Sequence, residues 1–191
     1  MRNFLDIAYL REGNERQRKA YEALQDLRII ELLAAYHPVL AGTIPLDIDL
    51  PGSDLDLICE VHDARRFEEE LERCFGSCKD YACSSKTVGG ILRTVANFFH
   101  GGFEFEVFGQ PKPVTEQNAY RHMVIEHRML EMAGPEVRRA VKKLKEEGLK
   151  TEPAFGEFFR LETDPYAALL DMYHWEDQRL REFIVERIGT K

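Results

Sequence analysis

The most constraining feature of the sequence is a short apolar segment, SDLDL at residues 53–57, in which aspartate occupies alternate positions. Aspartate is depleted from β-strands, yet the leucines around the two carboxylates favour a strand. Because side chains two apart on a strand share a face, Asp54 and Asp56 point together, while Leu55 and Leu57 point into apolar surroundings. Two such carboxylates repel each other unless a cation lies between them, and Mg²⁺ prefers oxygen ligands of this kind. The segment therefore predicts a half-buried strand that carries a Mg²⁺ site.

A glycine followed by a hydroxyl residue, Gly42-Thr43, lies upstream at the end of another predicted strand. A glycine lets backbone amides approach a phosphate closely, and a neighbouring hydroxyl can donate a hydrogen bond to it. Together with the aspartates, this pair indicates a metal-bound nucleotide. The alternative is that Gly42 and Pro51-Gly52 are only turn residues and that Asp54 ends the loop.

A third carboxylate is available in FEFEVF at residues 103–108, where apolar and acidic residues alternate. The alternation places Glu104 and Glu106 on one face of a strand and the apolar side chains on the other. Either glutamate is a candidate metal ligand. On their own, both glutamates would equally suit the solvated face of an antiparallel sheet.

Hydrophobic periodicity predicts the remaining helices and strands. Helical spacing is found over residues 15–35, 63–74, 115–132, 135–147 and 165–187, and a further helix is expected to start at Thr151. Strands are predicted near residues 37–43, 54–61, 91–99 and 102–108, the last two forming a hairpin. The predicted fold class is α+β, with a small mixed β-sheet packed with helices and a helical C-terminal region. We expect a single domain over residues 1–191, with its core at 15–110 and the helical region at 115–191.

The helix predicted for residues 115–132 carries charged side chains whose role has two interpretations. His122 and Glu126 are four residues apart, so we expect them to pair across one helical turn at the surface. The alternative is that His122, with Arg121 and Arg128, contacts a phosphate.

Composition and charge limit the classes of binding partner that we expect. The formal net charge of −8 argues against extended nucleic-acid binding, which normally needs a basic face. No stretch approaches the ~20 apolar residues of a membrane span, so we expect no membrane partner. The charged N-terminal segment does not resemble an export signal, which predicts a cytoplasmic location.

The order of these motifs resembles a known pattern. A strand ending in glycine and a hydroxyl residue, then a loop, then S-D-hydrophobic-D-hydrophobic, is similar to the signature of the polymerase-beta-type nucleotidyltransferase superfamily. Here the pattern is formed by Gly42-Thr43 and by Ser53 to Leu57, and the resemblance spans roughly residues 20–110. The segments GTIPLDIDLPGSDLDL, EVFGQPKPVTEQNAYRHM and KTEPAF together resemble a bacterial family of that superfamily without an assigned substrate.

The resemblance implies roles for the residues at the start of the loop and around the strand. It implies that Gly42, Thr43 and Ser53 bind the nucleotide, and that Asp54 and Asp56 bind Mg²⁺ together with a third carboxylate. It also implies a small mixed sheet with helices on one side.

For the third carboxylate, the resemblance favours Glu106 over Glu104, because the residues that follow Glu106 are more similar to the corresponding strand of the superfamily. Most members have aspartate there, so glutamate is a departure from the pattern. Glu104 stays a candidate ligand.

The predicted function is a Mg²⁺-dependent nucleotidyltransferase. It would transfer a nucleoside monophosphate from an NTP, with ATP expected, to a hydroxyl of an unknown small-molecule or protein acceptor. Asp54, Asp56 and Glu106 are the predicted catalytic residues, and Glu106 is also the candidate proton acceptor. The alternative is a non-catalytic nucleotide-binding or interaction module that kept the fold. The oligomeric state is left open.

Overall fold

The computed structural model describes residues 2–189, and its central feature is one five-stranded mixed sheet. The strands are β1 (Val39–Ala41), β2 (Leu55–Glu60), β3 (Lys79–Val88), β4 (Ile91–His100) and β5 (Phe103–Gln110). Their order across the sheet is β1-β2-β5-β4-β3. β2 and β5 are parallel, and the other neighbouring pairs are antiparallel. The predicted α+β fold with a mixed sheet is confirmed.

The predicted hairpin is formed by β4 and β5, which pair from Thr94 opposite Gly109 to His100 opposite Phe103. Sequence reasoning missed β3, which pairs with β4 at the edge of the sheet. β3 is exposed along most of its length and therefore lacks the apolar alternation of a half-buried strand. The adjacent Gly89-Gly90, both at positive φ, was the available turn signal.

The chain forms two compact units, residues 2–45 with 52–117 and residues 46–51 with 118–189. The first unit contains the sheet and the helices α1 (Glu15–Asp26), α2 (Ile29–Leu32) and α3 (Ala64–Phe75). Its core is apolar and includes fully buried side chains from β2, β4, β5 and α3: Leu55, Leu57, Phe67, Phe98 and Phe105. Burying this face fixes which side chains of each strand point the other way.

The helix predicted over residues 15–35 is interrupted, and this expectation was wrong in its middle. α1 ends at Asp26, and Arg28 takes a left-handed conformation at φ 52°. A residue in that conformation cannot continue a right-handed helix, so the short α2 begins at Ile29.

The second unit is helical, with α4 (Asn118–Ala133), α5 (Pro135–Glu146), α6 (Thr151–Phe159), α7 (Pro165–Met172) and α8 (Asp177–Gly189). The helix predicted over residues 165–187 is in fact two helices. The buried guanidinium of Arg128 donates hydrogen bonds to the carbonyl oxygens of Tyr173 (3.0 Å) and Trp175 (2.6 Å). These bonds satisfy carbonyl groups at the break. No helix within residues 2–189 is long and apolar enough to cross a membrane.

Candidate functional site

The site predicted from the sequence lies on the sheet, where β2 and β5 run side by side. Asp56 is opposite Glu106 in the parallel register, and the preceding pair is Leu55 opposite Phe105. Leu55 and Phe105 are fully buried, whereas Asp56 and Glu106 are only partly buried. Neighbouring strands are about 4.8 Å apart, so the core-facing pair orients the two carboxylates together on the opposite face.

Gly42 lies beside the Asp56 carboxylate on this face of the sheet. β1 ends at Ala41, which is opposite Asp56 in the antiparallel β1–β2 pair. Gly42 has φ +79°, and a Cβ atom placed on it would lie 2.1 Å from Oδ2 of Asp56. The backbone turn after β1 therefore lies directly against the Asp56 carboxylate, and only glycine leaves room for this approach.

The electrostatics of Glu106 show that other carboxylates are near it. Burial raises the pKa of Glu106 above its ordinary value, and the negative charges of Asp54 and then Glu104 raise the pKa further. Asp54 stands just before β2, and Glu104 is an exposed residue of β5. The carboxylates of Asp54 and Glu106 thus interact, and this crowding of negative charge favours a proton or a cation at Glu106.

Thr43 and Ser53 are partly buried and stand at the two ends of the segment that separates β1 from β2. The carbonyl oxygen of Ser53 accepts a hydrogen bond of 2.8 Å from Nη2 of Arg16 on α1. The structure thus holds Ser53 by its backbone, next to Asp54.

Whether these residues fit a metal ion can be judged from their chemistry. Within residues 2–189, no group of three or more His, Cys, Asp or Glu side chains is already arranged to hold a metal ion. The site nevertheless has carboxylate oxygens as its donors, which are the ligands Mg²⁺ prefers, and these charges interact. It also has a glycine turn that a Cβ atom would fill. The donor set therefore fits Mg²⁺ in type.

A second group of buried charges lies within the helical unit, and sequence reasoning missed it. Glu126 on α4 is only 4% exposed, and burial raises its pKa well above the ordinary value. Lys145 on α5 donates a 2.9 Å hydrogen bond to the carbonyl oxygen of Ile48. Burial lowers the pKa of Lys145, and the charges of Glu126, Asp49 and Glu152 oppose that shift. These groups form a buried charge network within that unit.

The expected surface pair of His122 and Glu126 was wrong, because both side chains are buried. Nδ1 of His122 instead lies 3.1 Å from Oε1 of Glu152 on α6. A signal was available, since Glu126 occupies the apolar stripe of its helix, three residues after Met123 and four before Leu130. A charged residue on such a stripe is expected to be buried, as Glu126 is.

Solved structures with a similar fold include those of Cid1. A structure described for its RNA terminal uridylyl transferase activity is 13% identical, with a TM-score of 0.51 over 85% of this chain and 52% of the Cid1 chain. The Cid1 poly(U) polymerase with bound Mg and 3′-dATP gives the same values. Cid1 in complex with its short product ApU gives 13%, 0.52, 85% and 52%. The chain therefore spans about half the length of these structures, and the likeness shows a nucleotidyltransferase-like fold.

Two sequence comparisons complete these findings. The search of curated proteins gave no match. The profile of the family described as "Domain of unknown function (DUF4269)" matches residues 22–172, which include the sheet and the helices α4 to α6. Because this match covers most of the chain, the protein belongs to the DUF4269 family.

Proposed function

We propose that this protein is a Mg²⁺-dependent nucleotidyltransferase that transfers a nucleoside monophosphate from an NTP to a hydroxyl acceptor. The observation that carries the proposal is the register of β2 and β5, which sets Asp56 opposite Glu106, with Gly42 against the Asp56 carboxylate. A glycine turn and facing carboxylates are the two elements needed to bind phosphate and metal side by side.

In this proposal Asp54, Asp56 and Glu106 hold the metal, and Glu104 is the weaker candidate because it is exposed. When bound, Mg²⁺ would neutralise phosphate charge and stabilise the departing pyrophosphate. Without the ion, burial and the negative charge of Asp54 oppose the ionisation of Glu106, so ion binding and ionisation of Glu106 favour each other.

The other residues of the site bind and orient the nucleotide. The backbone at Gly42 lets the phosphates approach closely, and the hydroxyl groups of Thr43 and Ser53 donate hydrogen bonds to them. Glu106 takes the proton from the acceptor hydroxyl.

The net charge of the chain bears on which acceptor we propose. ATP is the expected nucleotide, and the acceptor is a hydroxyl of a small molecule or of a protein side chain. The formal net charge of −8 disfavours an extended nucleic-acid partner. Cid1 is described as acting on RNA ends, and an RNA end is the less favoured acceptor for this chain. We further propose that the protein acts in the cytoplasm.

A non-catalytic nucleotide-binding module is the second candidate. The Gly42 turn against Asp56 would serve such a module equally well, because binding needs the turn and the carboxylates but no proton acceptor. Catalysis additionally requires Glu106 to accept a proton.

The test is a titration of the protein with ATP in the presence and absence of Mg²⁺, followed by an assay for pyrophosphate release with candidate acceptors. Mg²⁺-dependent binding with pyrophosphate release supports the transferase, and release must disappear in Glu106→Gln. Binding without release under any acceptor supports the binding module. If ATP binds equally well without Mg²⁺, or does not bind at all, the proposed site is wrong.

A further inference from the structure

The first turn of α1 contains a glutamine, Gln17, whose side-chain oxygen and nitrogen both make hydrogen bonds. Gln17 is 5% exposed. Its Oε1 accepts a hydrogen bond of 3.0 Å from the backbone amide of Asn14, and the Asn14 side chain caps Gln17 in return at 2.8 Å. This capping box fixes the amide orientation of Gln17, so its Nε2 points in one defined direction.

Nε2 of Gln17 donates to the backbone just after the proposed phosphate-binding turn. The acceptors are the carbonyl oxygens of Ile44 at 2.8 Å and Pro45 at 3.4 Å. The carbonyl oxygen of Pro45 also accepts a 2.8 Å hydrogen bond from Nη1 of Arg2. The chain is therefore held directly after Gly42-Thr43 by side chains far away in sequence.

The residue before Gln17 holds the other end of the same segment. Nη2 of Arg16 donates to the carbonyl oxygen of Ser53 at 2.8 Å, and the guanidinium lies 4.8 Å from the centre of the Phe103 ring. The aromatic contact and the hydrogen bond both restrict the arginine. Two consecutive residues of one helix thus bind the backbone next to Thr43 and at Ser53.

We propose that the first turn of α1 is a clamp, formed by Arg16 and Gln17, that presets residues 42–45 and 52–54 for nucleotide binding. This inference rests on the proposed function, because it assigns Arg16 and Gln17 as positioning residues of that site. The physical reason is the free-energy cost of ordering the connecting segment. A site built on a connecting segment binds only while the segment has the binding conformation, so its apparent affinity falls with the population of that conformation.

Two substitutions each remove the contacts of the clamp at one end of the segment. Gln17→Glu keeps an oxygen for the Asn14 amide and so preserves the capping box, but it replaces the donor facing Ile44 with an acceptor. Arg16→Gln removes the hydrogen bond to Ser53. Because Arg16 is partly exposed, we expect the fold to tolerate this substitution better than Gln17→Glu. Arg16→Lys retains a charged donor and is the conservative variant.

Matched controls come from the same helix. Gln25→Glu makes the same chemical change at an exposed position of α1, and Arg18→Gln removes the same charge. Nη1 of Arg18 donates to the Gly13 carbonyl oxygen and not to residues 42–54. A difference between each variant and its control therefore reports the clamp rather than net charge or helix content.

The first measurement is amide hydrogen exchange of the full chain without nucleotide. We expect Gln17→Glu to speed exchange selectively in residues 42–44, Arg16→Gln to do so in residues 52–54, and the controls to resemble the parent. The second measurement is the Kd for ATP with Mg²⁺, which should rise about tenfold in both variants if the competent population falls to about a tenth. Arg16→Lys should lie nearer the parent than Arg16→Gln in both measurements.

The outcomes separate the clamp from the proposed function. Unchanged exchange at residues 42–44 and 52–54 in both variants overturns the clamp, whatever the parent binds. Faster exchange with an unchanged Kd also overturns it, because the ordering then has no effect on binding. If the parent chain itself binds no ATP with Mg²⁺, the proposed function fails, and the exchange data still decide whether Arg16 and Gln17 order the segment.

Discussion

Asp56 on β2 lies directly opposite Glu106 on the neighbouring parallel strand β5. Like charges in neighbouring positions of a sheet destabilise it, and such pairs are normally avoided. The same arrangement gives a divalent cation two oxygen donors from adjacent strands. This relationship leads to four predictions that separate a ligand role from a structural role.

Asp56→Asn should fold at least as well as the parent, because it removes one of two facing charges while it keeps the size of the side chain. Mg²⁺-dependent ATP binding should weaken by at least about tenfold, as expected for loss of a metal-site group. Thermal unfolding without Mg²⁺ and calorimetric titration with Mg²⁺ measure the two effects. Glu60→Gln, at the far end of the same strand, is the control. Strong destabilisation of Asp56→Asn would show that the aspartate is a buried hydrogen-bond acceptor of the fold and not a ligand.

Glu106→Gln should lose Mg²⁺-dependent binding more severely than Glu104→Gln. Both residues are on the same face of β5, but Glu106 is opposite Asp56, whereas Glu104 is exposed. We expect at least about a tenfold larger Kd for Glu106→Gln and a change of less than about threefold for Glu104→Gln. The two titrations are compared under identical salt, because screening would weaken an exposed charge more. The reverse order of effects would assign the third carboxylate to Glu104.

The stability of the metal-free protein should depend on pH through Glu106. Its pKa is raised in the folded state by burial and by the charges of Asp54 and Glu104. The protonated form is therefore favoured by folding, and its contribution to the free energy of unfolding is lost as pH rises from the unfolded-state pKa through the raised folded-state pKa. Glu106→Gln should remove this loss, so the difference in unfolding free energy between variant and parent should grow with pH across that window.

Urea unfolding at a series of pH values measures this difference. Glu104→Gln should reduce the pH dependence only in part, because it removes one of the charges that raise the pKa of Glu106. The Mg²⁺ affinity of the parent should fall as pH is lowered through the raised pKa, because a proton then competes with the ion. A difference that is flat with pH would contradict the proposed charge crowding at Glu106.

Gly42→Ala should be more damaging than Gly52→Ala. Both glycines have positive φ, so each alanine costs roughly 1–2 kcal/mol of backbone strain. At Gly42 the added Cβ would also lie 2.1 Å from the Asp56 carboxylate oxygen, whereas at Gly52 it would meet nothing within 4 Å. The overlap should cost a further ~1–3 kcal/mol or displace Asp56. Chemical denaturation gives the stability difference.

A titration with ATP and Mg²⁺ shows whether Asp56, the proposed metal ligand, has been displaced. Gly42→Ala should weaken binding more than Gly52→Ala does, because only at Gly42 does the added Cβ meet the Asp56 carboxylate. Equal losses of stability and affinity in the two variants would mean that Gly42 is only a turn residue, which was the alternative interpretation of the sequence.

Local patterns in the sequence were sufficient to predict that acidic and apolar residues alternate around Asp54 and Asp56 and around Glu104 and Glu106. They were also sufficient to predict most of the helices. These features depend on the period of a single element, which neighbouring residues express directly. The break between α7 and α8 could not be predicted in this way, because the carbonyl groups at the break are satisfied by Arg128 on another helix. For the same reason the pairing of His122 with Glu152 was missed.

The sequence by itself determined that two strands carry acidic side chains on one face and apolar side chains on the other. It did not determine that these strands are parallel neighbours, nor which carboxylates face each other. That choice is made by the buried side of the sheet, where Leu55 and Phe105 pack into the common core. Because a shift of one residue would turn every side chain of a strand to the opposite face, core packing selects the register and thereby places Asp56 opposite Glu106.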